Sequence, residues 1–570
     1  MSIDRIEVTD GFSVSTQVEL ADVTALADAG VKGLICNRPD GEGSDQPTVR
    51  ELRDAATAVG IEVAYVPVVS GNIKDSDVAD FAAALARLPA PVHAFCRTGT
   101  RSLTLWSLNE RSRGVAADEL LAEASALGYD LSQALGDSGD ATAAATAGTG
   151  GAKTAGDHYD VVIVGAGAAG IAVASSLMAR TQRLSIAIID PAEVHYYQPG
   201  WTMVGGGVFR QEDTVKTMAS LIPEGVRWIK AAVGEFEPDN NRVLLEDRHP
   251  ISYDRLIVAP GLKLDWHGVE GLVETLGRNG VTSNYRFDLA PYTWQLVSSL
   301  RRGRAVFTQP PMPIKCAGAP QKAMYLSADH WNRCGVLKDI DIAFYNAGAV
   351  LFGVKEYVPA LMEYVERYGA DLNFGHRLTR VDGASRTAWF ETSAEDGSRQ
   401  EVSTSFDMLH VCPPQTAPDF VRQSSLVDDA GWVDVDQNTL QHKRYANIWS
   451  LGDVMNAPNA KTAAAARMQA PVVASNLLRD VGEGRGVAHY NGYGSCPLTV
   501  ERGKIVLAEF GYGGKLLPSF PRWLINGQRP SRLAWLLKEQ ILPPVYWKAM
   551  LRGREWMARP EASSAESSSA

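Results

Sequence analysis

The cysteines of this chain are unpaired by spacing. Cys36, Cys96, Cys316, Cys334, Cys412 and Cys496 are scattered over 570 residues, with no two at CxxC distance. Neither a disulfide scaffold nor a zinc finger is indicated, and no metal site is expected. Long apolar runs are missing too: no stretch of 18 or more apolar residues occurs, so no segment is expected to cross a membrane. The opening Met1-Ser-Ile-Asp-Arg-Ile-Glu has neither a basic n-region nor an apolar h-region, which predicts an intracellular chain. No compositional extreme is present. With 45% hydrophobic, 21% charged and 8% aromatic residues, the fibrous, collagen-like and wholly disordered classes are excluded. A single core stops growing near ~250–300 residues, so two or more domains are expected.

The net charge of −11 is unevenly spread, and nucleic acid is not an expected partner. Residues 1–135 hold 20 Asp+Glu against 11 Lys+Arg, whereas residues 515–560 hold 9 Lys+Arg against 2 Asp+Glu. The two ends therefore face different partners. Between them, in residues 136–156, 18 of 21 are Gly, Ala, Ser or Thr, the composition of a flexible linker. Before it, residues 1–135 alternate short β-rich runs with helical patterns, predicting a small α/β domain with a mainly parallel sheet. After it, residues 157–480 read as a long α/β region, 481–558 as a C-terminal interface region, and 559–570 as a disordered tail.

Gly165-Ala-Gly167-Ala-Ala-Gly170 follows an apolar strand and opens a helix, and Asp190 ends the next strand 20 residues beyond Gly170. This is the dinucleotide fingerprint in its full context. Gly165 permits the tight turn, Gly167 lets backbone N–H groups reach a pyrophosphate, and Gly170 lets helix and strand pack closely. Asp190 is placed to accept ribose hydroxyls. Residues 253–261 (YDRLIVAPG) and 447–454 (NIWSLGDV) resemble the second and third signatures of tandem-Rossmann flavoprotein reductases. That resemblance implies FAD, with Asp453 on its ribityl chain. In the middle, where such reductases carry a second glycine turn for NAD(P)H, the strand RAVFTQ runs instead into Pro310-Pro-Met-Pro-Ile-Lys-Cys316. The pyridine-nucleotide site is expected to be lost and a thiol to stand in its place.

Residues 195–207 (HYYQPGWTMVGGG), 313–327 (PIKCAGAPQKAMYLS), 439–466 (TLQHKRYANIWSLGD through KTAAAA) and 542–553 (LPPVYWKAMLRG) resemble, in order, the mitochondrial type of the sulfide:quinone oxidoreductase family. The likeness spans about 157–558. It implies a flavoprotein in which a cysteine matching Cys316 takes up sulfide as a persulfide, with electrons passing through FAD to quinone. It also implies Gln198, Gly452, Asp453, Lys461 and Thr462 as cofactor contacts. Lys315 beside Cys316 would favour the thiolate. One departure stands out: the family's second redox cysteine follows the Gly-Asp pair, and here that position is Val454. Cys412, at the end of a strand, is one candidate for the missing sulfur; a small thiol, the N-terminal module, or a substrate other than free sulfide are the others. Cys36, Cys334 and Cys496 are assigned to packing.

Residues 516–557 interleave Leu and Trp with basic residues, as suits a segment lying ~5–10 Å deep in a membrane interface. The expected location is peripheral, on the cytoplasmic face of the cell membrane. In the N-terminal module, His93-Ala-Phe-Cys96-Arg97-Thr98-Gly99-Thr100-Arg101 ends a strand and precedes a helix. Four residues between Cys96 and Arg101 resemble the short loop of rhodanese-type sulfurtransferases, within a module resembling the phosphatase-like domain joined to sulfur-metabolising enzymes. Cys96 is read as a persulfide carrier and Arg101 as its anion-stabilising partner. Under the weaker phosphatase reading Asp40 is the general acid. Two alternatives for the whole remain: an NADH:quinone dehydrogenase, and a tyrosine-phosphatase-like or redox-regulatory fusion.

Overall fold

A computed structural model describes residues 5–40, 46–68, 73, 75–127, 129, 131, 135, 158–246, 248–394, 396–458, 461–484 and 486–563. The expected linker, 136–156, lies outside the described residues, as does the end of the expected tail, 564–570. The chain forms two compact units, Met1–Lys153 and Thr154–Ala570.

In the first unit, five strands make one sheet in the order Ile6–Thr9, Phe12–Ser15, Val92–Phe95, Gly33–Cys36, Glu62–Tyr65. The first pair is antiparallel and the rest parallel. Val92–Phe95 and Gly33–Cys36 are buried along their whole length, as parallel strands covered on both faces must be. The polar exception, His93, is satisfied by Ser13 Oγ at 2.9 Å and Ser15 Oγ at 2.8 Å. Burial holds it neutral, its pKa down to about 3. Thr48 starts the helix Val49–Ala58 through a capping box with Glu51.

The second unit holds two main sheets, as expected of a tandem-Rossmann chain. The first runs Val226–Ile229, Ile186–Ile189, His158–Val164, Pro250–Val258, Arg242–Leu245, Val233–Glu237, with Ile448–Ser450 also pairing with Pro250–Val258. Its glycine-turn half is parallel, and its last three strands are an antiparallel meander. The second sheet is wholly parallel: Val281–Thr282, Met408–His410, Gly303–Gln309, Ile340–Asn346, Ala370–Phe374. An antiparallel hairpin, Gly494–Glu501 with Lys504–Phe510, packs against the helix Ala319–Arg333 that follows Gly303–Gln309. That contact buries Trp331, Phe307 and Leu498 completely. Each such side chain contributes about 1.5–3 kcal/mol in transfer free energy.

The C-terminal segment departs from expectation in two ways. Arg532–Leu536, a π-turn at Leu537–Ile541 and Leu542–Lys548 follow one another as a helical run, whose Trp535, Tyr546 and Trp547 are buried rather than turned outward. The exposed apolar residues are Trp523, Leu524, Leu533, Leu536, Ile541, Trp556 and Met557. Among the described residues no helix is long and apolar enough to cross a membrane. Past the expected boundary at 558, Glu561–Ser563 is a strand paired with Val487–His489, so the structured chain continues into the segment read as a tail.

Candidate functional site

A cavity of about 530 Å³ in the second unit is lined by Ala166 and Gly167, Asp190, Gln198, Cys316, Lys322, Gly452, Asp453, Lys461 and Thr462. That volume is within the range of small-molecule and cofactor sites. Its first wall is the glycine turn. Gly165 has φ 99°, and a Cβ on Gly170 would stand 1.8 Å from the Gly165 carbonyl oxygen, so helix Ala168–Met178 can seat on its strand only with glycine there. Ala166 N–H and Ala192 N–H donate to the two oxygens of Asp190 at 2.7 and 2.8 Å, fixing the carboxylate beside the turn. Burial raises its pKa, against those two bonds.

The second wall carries Asp453 and Lys461. Gly452 N–H donates to Gln469 Oε1 at 2.8 Å. Burial raises the Asp453 carboxyl, opposed by the cations of Lys461 and Lys315. Lys461 Nζ donates to the carbonyls of Asp453 (2.6 Å) and Met455 (2.9 Å) and lies 3.9 Å from the Trp432 ring centre. Burial brings its pKa down to about 8. Thr462 caps helix Ala463–Asp480, accepting from Ala465 N–H at 3.1 Å. Trp201, Thr202 and Asn284, which line this cavity, carry buried polar atoms without protein partners. The glycine turn at a helix N-terminus, with Asp190 fixed beside it, fits the pyrophosphate and ribose of a dinucleotide.

Cys316 stands in the third wall. Its φ of 51° is left-handed, a strained choice for a non-glycine residue. The conformation is pinned by its N–H donating to Lys461 O at 2.9 Å and its carbonyl accepting from Ala319 N–H at 2.7 Å. Its sulfur lies 3.8 Å from Cys496 Sγ and 3.1 Å from Lys322 Nζ. The hydrogen bond from Cys496 holds the Cys316 thiol well below its ordinary pKa; burial opposes this and the Lys322 ammonium adds to it. Cys496 is raised well above the ordinary value by that same bond and by burial. The pair therefore holds one thiolate, on Cys316.

The packing role read for Cys496 agrees with its place in a buried apolar cluster, and the structure adds what the sequence did not show, that its sulfur is in contact with Cys316. Sequence reasoning missed Lys322. Lys315, the adjacent lysine, sends its Nζ to Gln198 Oε1, so the ammonium on the thiolate comes from the first turn of the following helix. Cys412 shares an apolar cluster with Cys316, Tyr285 and Ile314. Its sulfur meets Gln415 Nε2 at 3.7 Å and Pro413 O at 3.9 Å and is hydrogen-bonded with the Tyr285 hydroxyl, and burial pushes its thiol up to about 12. Lys538, from the C-terminal helical run, is buried with Nζ on Pro199 O at 2.9 Å, and burial lowers it to about 7. Cys334, at the end of helix Ala319–Arg333, is exposed.

In the first unit Cys96 follows strand Val92–Phe95 and is buried. Gly99 is left-handed at φ 85° and caps helix Thr100–Ser112. Arg101, in the first turn, donates to Val68 O at 2.6 Å. The Asp40 carboxylate accepts from Val49 N–H at 2.8 Å. Cys36 donates to Arg38 O, and burial raises it to about 11.

Two family models match the chain. That of the pyridine nucleotide-disulphide oxidoreductases covers residues 159–294, and that of the phosphatase-like domain of beta-lactamase hydrolase-like protein covers 4–113. The mitochondrial sulfide:quinone oxidoreductase of Dictyostelium discoideum is 42% identical over 403 residues, 70% of this chain and 87% of that protein. The mitochondrial sulfide:quinone oxidoreductase of Mus musculus is 38% identical over 405 residues, 71% and 89% respectively. The X-ray structure of the sulfide:quinone oxidoreductase from the hyperthermophilic bacterium Aquifex aeolicus is 19% identical with a TM-score of 0.57, covering 70% of this chain and 92% of that one, a likeness of fold.

Proposed function

From the membership of this chain in the sulfide:quinone oxidoreductase family, we infer that it oxidises sulfide and delivers the two electrons to a quinone by way of a bound flavin. The observation that carries the reading is that Cys316, the thiolate of the pair, lines the same cavity as the glycine turn. The flavin is proposed to be FAD, held by Gly165, Gly167 and Gly170 at its pyrophosphate end, with Asp190, Gln198, Gly452, Asp453, Lys461 and Thr462 as further contacts. When bound, it supplies a two-electron acceptor beside the thiolate. Cys316 carries the sulfur of sulfide as a persulfide, and Lys322 stabilises the Cys316 thiolate that is freed when that sulfur leaves. Cys412 has a sulfur engaged elsewhere and a thiol held protonated by burial, which favours a packing role over the redox role open to it from sequence.

Trp523 and Trp556, 85% and 60% exposed, with Leu533 and Leu536, are proposed to rest on the membrane that holds the quinone, giving a peripheral protein on the cytoplasmic face. Cys96, at a strand end before a helix N-terminus, is proposed to handle sulfane sulfur with Arg101. Adding sulfide to purified yellow protein with quinone-loaded vesicles tests these roles together. The 450 nm band bleaches and the quinone is reduced; Cys316→Ser does neither. Trp523→Ser with Leu536→Ser lowers the rate on vesicle-held quinone relative to a soluble quinone. Cys96→Ser loses sulfane-sulfur transfer to cyanide. A Cys316→Ser protein with the parent rate overturns the assignment.

A further inference from the structure

A thiol that carries sulfur through oxidative cycles needs a second sulfur with which to close. The position that follows the Gly-Asp pair is Val454, a fully buried apolar residue with no redox chemistry. The structure offers a different sulfur. Cys496 lies 180 positions from Cys316 in sequence, on the hairpin strand Gly494–Glu501, with its Sγ 3.8 Å from Cys316 Sγ. The approach is a built feature. Gly318 sits at the start of helix Ala319–Arg333, and a Cβ there would stand 2.5 Å from Cys496 Sγ and 2.4 Å from Leu498 Cδ2. Cys316 is itself held in a left-handed conformation by two backbone hydrogen bonds. Lys322 supplies the cation, donating to Cys316 Sγ at 3.1 Å.

We propose that Cys496 is the second redox thiol of this site, closing a disulfide with Cys316 in each turnover. This rests on reading the site as sulfide-oxidising. Forming the bond brings the sulfurs from 3.8 Å to about 2.05 Å. Cys316 faces the cavity while Cys496 is buried behind it, so HS⁻ arriving from the cavity attacks Cys316 Sγ. The Cys316–Cys496 bond breaks, a Cys316–S–SH persulfide forms, and Cys496 leaves as a thiolate that takes up a proton. A low-molecular-weight thiolate then attacks the outer sulfur, leaving with it as R–S–SH and freeing the Cys316 thiolate. Closing the Cys316 thiolate on the Cys496 thiol releases one proton and the two electrons that the inferred activity delivers to quinone. The net change is HS⁻ and RS⁻ to RSSH with two electrons out.

Non-reducing peptide mapping of the air-oxidised holoenzyme by mass spectrometry reads the bond without any variant. The expected result is one species joining the Cys316 and Cys496 peptides, 2 Da lighter than the two thiols, which sulfide opens to a +32 Da persulfide on Cys316. Cys496→Ser is expected to keep its flavin absorbance and to lose sulfide-dependent quinone reduction by about 100-fold or more. A free Cys496 thiol throughout turnover, a bond from Cys316 to Cys412 instead, or a flavin-loaded Cys496→Ser protein within two-fold of the parent rate would each overturn the proposal. A parent protein that reduces quinone with sulfide while Cys496→Ser is unimpaired sinks the proposal alone. A parent protein that forms the bond yet never oxidises sulfide sinks the functional reading alone.

Discussion

The strand His158–Val164 reaches its helix through three residues, 165–167, whereas Gly303–Gln309 takes nine, 310–318, before helix Ala319–Arg333 begins. Both turns join a parallel strand to a helix, and both line the same cavity. In the short turn glycine brings the backbone against whatever occupies the cavity, and a helix N-terminus with its N–H groups favours an anion such as pyrophosphate. In the long turn there is room for side chains, and the turn presents Lys315 and Cys316 to the cavity. On the proposed function, one topology serves cofactor binding at one turn and sulfur chemistry at the other, and what differs between them is turn length and the residue at the apex rather than the sheet.

The sharpest way to break this comparison is at the short turn. Gly170→Ala puts a Cβ 1.8 Å from the Gly165 carbonyl oxygen, a backbone atom that cannot rotate away. The expected outcome is protein purified with its 450 nm absorbance per chain reduced by about tenfold or more, because overpacking against backbone costs more than the ~1–3 kcal/mol usual for side chains. Full flavin content in Gly170→Ala would show that the turn does not seat the cofactor. At the long turn the matching measurement uses the nucleotide that this turn is expected to exclude. Sulfide is expected to bleach the flavin band within the mixing time of a stopped-flow experiment, while an equal concentration of NADH leaves it unchanged over minutes. Bleaching by NADH would restore the dehydrogenase alternative and erase the distinction between the two turns.

How much of this was legible in sequence follows from distance along the chain. Gly165, Gly167, Gly170 and Asp190 fall within 26 residues, and their spacing is dictated by one strand, one turn and one helix, so the pattern announces itself. The thiol of Cys316 was legible because it breaks an expected glycine turn in place. Cys496 was not: it is 180 residues away on a hairpin strand, and a lone buried cysteine in a strand has the same local pattern whether it packs or reacts. Lys322 was hidden by its neighbour. Lys315 is adjacent to Cys316, but side chains of adjacent residues diverge, and the left-handed turn at Cys316 sends Lys315 to Gln198 while the helix returns Lys322 to the sulfur. The aromatic C-terminal segment reads as amphipathic, yet which face turns inward depends on packing against His195 and Tyr197, to which Tyr546 is joined.

The smallest effect sharpens the chemistry of the long turn. Lys322→Met keeps the length of the side chain and removes the ammonium 3.1 Å from Cys316 Sγ. In the parent the thiol pKa is held well below the ordinary ~8.5, so the thiolate is present above the depressed value and is lost as pH falls through it. The hydrogen bond from Cys496 survives the substitution, so part of the depression remains and the midpoint moves upward without reaching that of a free buried thiol. Each unit of that movement slows alkylation at a pH below both midpoints about tenfold. Iodoacetamide labelling of Cys316 in holoenzyme reduced anaerobically with a phosphine, which leaves bare thiols, followed by mass spectrometry from pH 5 to 9, should show the curve displaced to higher pH. An unmoved curve would mean that Cys496 alone sets the thiolate and that Lys322 is there to neutralise the buried pair rather than to ready it for reaction.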